Sequence, residues 1–154
     1  MAIQFLFCLN KQGILRISKV YNHKVFQTIE NSTEKNDSVF VNEVFKLIST
    51  RDHKKQSNFV PLNDKTKLIY KRYAGLYFIL GVDLADEDEL LYLTNIHFLV
   101  EVLDQFFGNV CELDIVFNFY KVYMCIDEIF QAGEIVETDK DRLQQRLQLL
   151  NKLD

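Results

Sequence analysis

Hydrophobic and polar positions recur at helical spacing over the most apolar long stretch of the chain, from Asn109 to Phe130. Steps of three and four residues place side chains on one face of a helix, and this stretch contains one polar and two apolar rows at those steps. The apolar rows are Val110, Leu113, Phe117, Tyr120 and Met124, and Val116, Phe119, Tyr123, Ile126 and Phe130. The pattern therefore predicts one continuous helix that protein covers over most of its circumference.

The beginning of this helix carries residues that commonly mark the boundary between two helices. Gly108 suits the end of a preceding helix, because glycine readily adopts the left-handed conformation found there. Asn109 is a suitable N-cap, and Glu112 three residues later completes a capping-box pattern. The sequence thus predicts a cap at Asn109.

Shorter alternating patterns predict five β-strands. The first, Ala2 to Leu9, is apolar on both faces, which is typical of an interior strand that is covered on both sides. One of its faces is formed by Ile3, Phe5, Phe7 and Leu9. Turn residues from Asn10 to Gly13 join it to a more polar strand, Ile14 to Tyr21, in a hairpin. A meander of three strands is predicted at Asn58 to Leu62, Thr66 to Tyr73 and Leu76 to Val82.

Three further amphipathic patterns predict helices that begin at Ser38, near Asp86 to Glu89, and at Thr138 after a break at Gly133. Their apolar rows are Val41, Val44, Phe45 and Ile48; Leu93, Ile96, Val100, Leu103 and Phe107; and Leu143, Leu147 and Leu150. Residues 22–37 are polar and are predicted to form a surface loop. The order ββαβββααα predicts a single α+β domain over residues 1–154, with helices packed on a five-stranded antiparallel sheet.

Composition and charge narrow the class of protein. The chain is 48% hydrophobic with one Pro and five Gly, which is typical of a globular fold. Cys8, Cys111 and Cys125 stand singly in apolar patterns, so we expect buried, reduced thiols in a cytoplasmic protein. Residues 1–75 carry thirteen basic and six acidic residues and residues 76–154 carry five and sixteen, which indicates one basic and one acidic surface.

The residues give little support to catalysis or to metal binding. The chain has no glycine-rich phosphate loop, no GxSxG and no HExxH, and in the sequence its three histidines are isolated from any recurring acidic or cysteine partner. The acids from Asp86 to Glu89 lack the spacing of a calcium loop and fit a helix N-terminus. Basic and aromatic residues alternate from Lys65 to Tyr77 as in a strand, and the net charge of −4 disfavours nucleic acid as a partner. We therefore expect a protein that is not an enzyme and that needs no cofactor.

Four segments resemble one protein family over nearly the whole chain. They are RDHKKQSNFV (51–60), KLIYKRYAGLYF (67–78), IHFLVEVLDQFFGNVCELDIVFNFYKVY (96–123) and AGEI (132–135). These segments resemble the small (sigma) subunits of heterotetrameric clathrin adaptor complexes. Within that family, Gly75, Tyr120 and Val122 resemble the plasma-membrane type.

The resemblance implies a longin-like fold and no catalysis. It implies a complex with two large subunits (an alpha-type contacted directly and a beta-type), a medium (mu) subunit and, indirectly, clathrin, at coated pits on the cytoplasmic face of the plasma membrane. It also implies that the chain helps to bind acidic dileucine signals in cargo tails, with Arg16 holding the acidic residue. The residues implied to line the leucine pockets are Tyr73, Ala74, Leu76, Val100, Asn109, Val110, Leu113 and Ile115.

Two alternatives to this interpretation remain open at the level of sequence. A sigma subunit of a Golgi or endosomal adaptor shares most of the motif residues. A stand-alone longin-type regulator of a small GTPase would share the fold, but it would be stable without a large partner subunit. Copurification of other subunits with the chain distinguishes this last class from an adaptor subunit.

Overall fold

A computed structural model describes residues 3–22, 36–51, 58–131 and 134–135, together with the single positions 145 and 148. The helix predicted from Thr138, the break at Gly133 and most of the predicted loop 22–37 lie outside these residues. The elements in chain order are β1 (Ile3–Asn10), β2 (Leu15–Val20), α1 (Asn36–Ser49), β3 (Phe59–Pro61), β4 (Thr66–Tyr73), β5 (Leu76–Asp83), α2 (Glu89–Phe107), α3 (Glu112–Phe117), α4 (Phe119–Ile129), β6 (Phe130–Gln131) and β7 (Glu134–Ile135).

Five strands form one antiparallel sheet in the order β2-β1-β5-β4-β3. The predicted α+β architecture, the β1–β2 hairpin and the β3–β4–β5 meander are confirmed. Strand β1 pairs on both sides, as its doubly apolar pattern predicts, although β5 takes the central position. The short β6–β7 hairpin was not expected, because the predicted helix included Phe130, which here belongs to β6.

The sheet separates two hydrophobic clusters, one beneath α1 and the other beneath α2 and α4. A register shift between Ile3 and Phe5 alters the predicted faces of β1. Ile3 lies in the cluster beneath α2 together with Leu6 and Cys8, whereas Phe5 lies in the cluster beneath α1. The prediction that Ile3 shares a face with Phe5 is therefore wrong, because a bulge moves every residue on one side of it to the opposite face.

Helices α1 and α2 bury the rows that their patterns predict. Val41, Val44 and Ile48 of α1 are buried, and so are Ile96, Val100 and Leu103 of α2. Helix α1 begins at Asn36, so Ser38 lies inside it and is not its cap. Helix α2 ends where predicted, at Gly108, whose φ of 62° is the left-handed conformation that glycine adopts at low cost. No helix in the described residues is both long enough and apolar enough to cross a membrane.

The predicted continuous helix from Asn109 to Phe130 is wrong, because the chain forms two helices that meet at Asn118. Asn109 is not an N-cap. It has a φ of 72° and donates its N–H to the carbonyl of Asp104, so it extends the end of α2. Cys111 is the cap of α3, and its N–H donates to the Asp114 carboxylate at 3.0 Å. The capping box is therefore formed two residues later than predicted.

This break leaves a contiguous run of the chain with large apolar side chains exposed. We call it the α3–α4 apolar face, and it consists of Leu113, Val116, Phe117, Phe119 and Tyr120. Phe117 is 73% exposed and Leu113 is 63% exposed, although both belong to rows that the pattern predicts to be covered. The described part of this chain does not cover these side chains, and contiguous exposed apolar side chains commonly mark a surface that binds another protein.

Both edge strands of the sheet are protected. On β2, the N–H of Ser18 donates to the hydroxyl of Tyr123 at 3.1 Å, and that hydroxyl donates to the carbonyl of Ser18 at 3.0 Å. On the opposite edge, β3 has three residues and ends at Pro61, which has no N–H. A short edge strand, a proline and a side chain that occupies edge backbone groups each hinder pairing with another strand.

The prediction that all three cysteines are buried is wrong for Cys111, which is exposed at the start of α3. Cys8 and Cys125 are buried, and burial raises the pKa of Cys125 to about 12 and that of Cys8 still further. Only the thiolate is nucleophilic, so burial and a raised pKa both suppress reaction.

We therefore expect a thiol reagent at pH 8 to label one cysteine in the folded chain and three after denaturation. Mass spectrometry of the labelled peptides should identify Cys111. A Cys111→Ser variant is the control and should remain unlabelled until it unfolds. Rapid native labelling of Cys8 or Cys125 would contradict the burial of β1 or α4.

Candidate functional site

Several of the predicted leucine-pocket residues come together where β5, α2 and α3 meet. Leu76, Val100, Val110 and Ile115 belong to one hydrophobic cluster, and Tyr73 packs against it. The side chains of Leu76, Val100, Val110 and Ile115 are almost completely buried, so these four residues form a closed apolar wall in this structure. Leu113 differs from them, because it points away from the core and is largely exposed.

Asp104 connects three parts of this junction. One of its carboxylate oxygens accepts the Tyr73 hydroxyl at 2.9 Å and the Val110 N–H at 3.0 Å. The same residue's carbonyl accepts the N–H groups of Gly108 and Asn109. The hydrogen bond to Asp104 also raises the pKa of Tyr73. Asp104 thus fixes the end of β4, the end of α2 and the entry to α3.

Sequence reasoning did not assign Asp104 to the site, although a signal was present. An acidic residue in the last turn of a helix lies at the negative end of the helix dipole, which is unfavourable. Such a residue is more easily explained by a specific partner than by solvation. Here the partners are the Tyr73 hydroxyl and the Val110 N–H.

Two predicted site residues have a backbone conformation that L-amino acids seldom adopt. Ala74 (φ 53°) and Asn109 (φ 72°) are the non-glycine residues with positive φ in the described part of the chain. Ala74 and Gly75 form a two-residue turn between the paired residues Tyr73 and Leu76. Strained backbone of this kind is often found near binding sites, where the surrounding structure holds it in place.

Arg16 lies on the edge strand β2 and contacts the start of α3. Its Nε donates to Glu112 Oε1 at 2.9 Å, and the Nδ2 of Asn10 donates to the same oxygen at 2.9 Å. The hydrogen bond from Asn10, and then that from Arg16, hold the pKa of Glu112 below its usual range. The side chains of Arg16 and Glu112 are 30% and 35% exposed, so solvent and solutes reach the pair.

The start of α3 therefore combines the two kinds of group that an acidic, apolar peptide requires. Glu112 holds Arg16 beside the helix, and the next residue, Leu113, begins the α3–α4 apolar face. Within the described residues, no group of three or more His, Cys, Asp or Glu side chains is placed to hold a metal ion. The arrangement suits non-covalent binding of a ligand with one negative charge and apolar side chains.

Comparison with known proteins places the chain in a family. Residues 2–154 match the family model described as clathrin adaptor complex small chain. The chain is 56% identical, over the full length of both chains, to a protein of Saccharomyces cerevisiae named AP-2 complex subunit sigma. It is 40% identical to AP-1 complex subunit sigma-2 of Dictyostelium discoideum, over 100% of this chain and 91% of that protein.

The fold agrees with these sequence matches. A chain in a homology model of the full-length AP-3 complex, in a stretched open conformation, superposes with a TM-score of 0.73 at 31% identity. The match covers 98% of this chain and 94% of that chain. The chain belongs to the clathrin adaptor complex small chain family.

Proposed function

We propose that this chain is the small subunit of the plasma-membrane clathrin adaptor and that it helps to bind acidic dileucine signals during endocytosis. Such a signal has an aspartate or glutamate four residues before a Leu-Leu or Leu-Ile pair. In this proposal Arg16 binds the acidic residue. The leucines contact the exposed Leu113 and the outer edge of the junction formed by Tyr73, Ala74, Leu76, Val100, Asn109, Val110 and Ile115.

The observation that carries the proposal is the position of a partly exposed arginine beside an exposed apolar helix surface at the start of α3. Arg16 uses only its Nε in the contact with Glu112, and within the described residues its two terminal nitrogens form no hydrogen bond or ion pair. A carboxylate fits those nitrogens, since guanidinium binds carboxylates through parallel N–H groups. Leucine side chains gain free energy by removing the surface of Leu113 from water.

The plasma-membrane type is preferred over the Golgi or endosomal type because identity is higher to the AP-2 sigma subunit than to the AP-1 sigma subunit compared above. The α3–α4 apolar face favours a subunit of a complex over a stand-alone regulator of a small GTPase, since exposed apolar patches commonly mark interfaces with other proteins. In the proposed complex the partners are an alpha-type and a beta-type large subunit and a mu subunit. Clathrin is then reached indirectly, at coated pits on the cytoplasmic face of the plasma membrane.

Peptide binding to the assembled complex tests this function. Leu113→Ser should weaken binding of an acidic dileucine peptide about 5- to 30-fold, since a leucine contact is worth roughly 1 to 2 kcal/mol when partly buried. Arg16→Ser should weaken it several-fold and only for peptides that carry the acid, because a partly exposed ion pair contributes about 1 kcal/mol. The effect of Arg16→Ser should shrink as salt rises.

Two control peptides accompany the protein variants. A tyrosine-type signal, which the family binds on its medium subunit, should bind all variants equally. A dileucine peptide whose leucines are replaced by alanine should not bind. Wild-type affinity in both Leu113→Ser and Arg16→Ser, in correctly assembled complexes, would disprove the site.

A further inference from the structure

We propose that Glu112 determines how strongly this site favours an acidic residue in the peptide, by acting as a resident carboxylate on Arg16. This inference rests on the function proposed above and concerns the specificity of the same site. The peptide acid then meets an arginine that already has a counter-ion. Its contribution to binding is correspondingly reduced.

The first support is the anchoring of Glu112. Its Oε1 accepts two hydrogen bonds at 2.9 Å, one from Arg16 and one from Asn10. Asn10 is 2% exposed, and its Oδ1 accepts the N–H groups of Gln12 and Ile14 in the β1–β2 turn. The Glu112 carboxylate is thus bonded to a buried side chain that the β1–β2 turn holds in place, so we expect it to keep its position when a ligand binds.

The second support is the geometry of the arginine. A guanidinium has five N–H donors, and Glu112 uses the one on Nε. An incoming carboxylate can therefore bind the terminal nitrogens while Glu112 keeps its place. Two carboxylates then share one cation within a few ångström, and their mutual repulsion offsets part of the attraction of Arg16 for the ligand.

Glu112 is also charged under the relevant conditions. Its hydrogen bonds with Asn10 and Arg16 lower its pKa, so it is ionised at neutral pH. The pair is electrically neutral before a ligand binds. Discrimination among peptides is then expected to depend more on the leucines than on the acid.

The test compares an acidic dileucine peptide with the same peptide carrying glutamine at the acidic position, on the assembled complex. Glu112→Gln keeps an oxygen for Asn10 and Arg16 but removes the charge. We expect it to strengthen binding of the acidic peptide about three- to fivefold and to leave the glutamine peptide unchanged, since charge interactions at this exposure are of the size found for surface ion pairs.

Two further variants separate this effect from general changes in charge or folding. Asp127→Asn removes the same charge from the Lys19–Asp127 pair, at 3.0 Å, which also joins β2 to the neighbouring helix. It should leave the ratio of the two affinities unchanged. The double variant Arg16→Ser with Glu112→Gln should show no preference for the acid, because the cation that Glu112 attenuates is gone.

These measurements distinguish a failure of the proposed role of Glu112 from a failure of the proposed function on which it rests. If the wild type prefers the acidic peptide and Arg16→Ser removes that preference, the proposed function stands. An affinity ratio in Glu112→Gln equal to or below that of the wild type then overturns the role of Glu112 alone. Failure of the wild-type complex to bind either peptide overturns both.

Discussion

Replacing Val100 by aspartate should prevent the chain from folding. Val100 is 2% exposed and lies between α2 and the sheet in the larger hydrophobic cluster. The variant loses roughly 1.5 to 3 kcal/mol of burial, and placing an unpaired carboxyl group in the core costs several kcal/mol more. Together these losses approach the 5 to 15 kcal/mol by which a typical domain is stable, as an order of magnitude. Circular dichroism and recovery of soluble complex measure the result.

The matched control is Leu113→Asp, which makes the same substitution on a side chain that is 63% exposed. This variant should fold with the melting temperature of the wild type. A folded, soluble Val100→Asp chain would show that the wall at this junction opens to water. A loss of peptide binding in an assembled Leu113→Asp complex therefore reports on the site, whereas a loss of binding in Val100→Asp reports on the fold.

Introducing charge into the α3–α4 apolar face should abolish assembly without unfolding the chain. Phe117 and Phe119 are both exposed, so Phe117→Asp with Phe119→Asp removes little buried surface of this chain. Each aromatic ring contributes about 2 kcal/mol when a partner covers it, and a buried charge adds a further penalty. The doubly substituted chain should lose its partner subunits in a pull-down and should stay in solution better on its own than the wild type.

Leu90→Asp provides the control for this pair. Leu90 lies near the start of α2 and is 73% exposed, like Phe117, but it is not part of the α3–α4 apolar face. Assembly should survive that substitution. If the Phe117 and Phe119 variant assembles normally, or if Leu90→Asp loses its partner subunits to the same extent, the α3–α4 apolar face is not what holds the complex together.

Regular patterns allowed most of the fold to be predicted from the sequence. The strands, their hairpin and meander, and helices α1 and α2 follow from alternation and from apolar rows that extend over several turns. The break at Asn118 was missed because both apolar rows continue across it without a change of spacing. Nothing in a hydrophobic pattern distinguishes one helix from two that meet end to end, and no proline or glycine marks the position.

The site was harder to predict because its geometry depends on contacts between residues far apart in the chain. Asn10 and Glu112 are separated by 102 positions, and no local pattern indicates that they share a hydrogen bond. The position of the α3 cap has a local origin. Asn109 is a good cap by type, but the left-handed end of α2 includes it and leaves that role to Cys111.

The Tyr123 hydroxyl forms hydrogen bonds with the N–H and the carbonyl of Ser18, and these bonds affect how the isolated chain would aggregate. The Ser18 backbone groups on one edge of the sheet are bonded to a side chain, and the other edge strand is short and ends at Pro61, so both edges hinder the addition of strands from another molecule. Chains that lack their partners should therefore coalesce through helices into amorphous, thioflavin-negative precipitates and not into fibrils. Tyr123→Phe, which frees the Ser18 groups while keeping the ring, is the single substitution that should restore a fibril-forming edge.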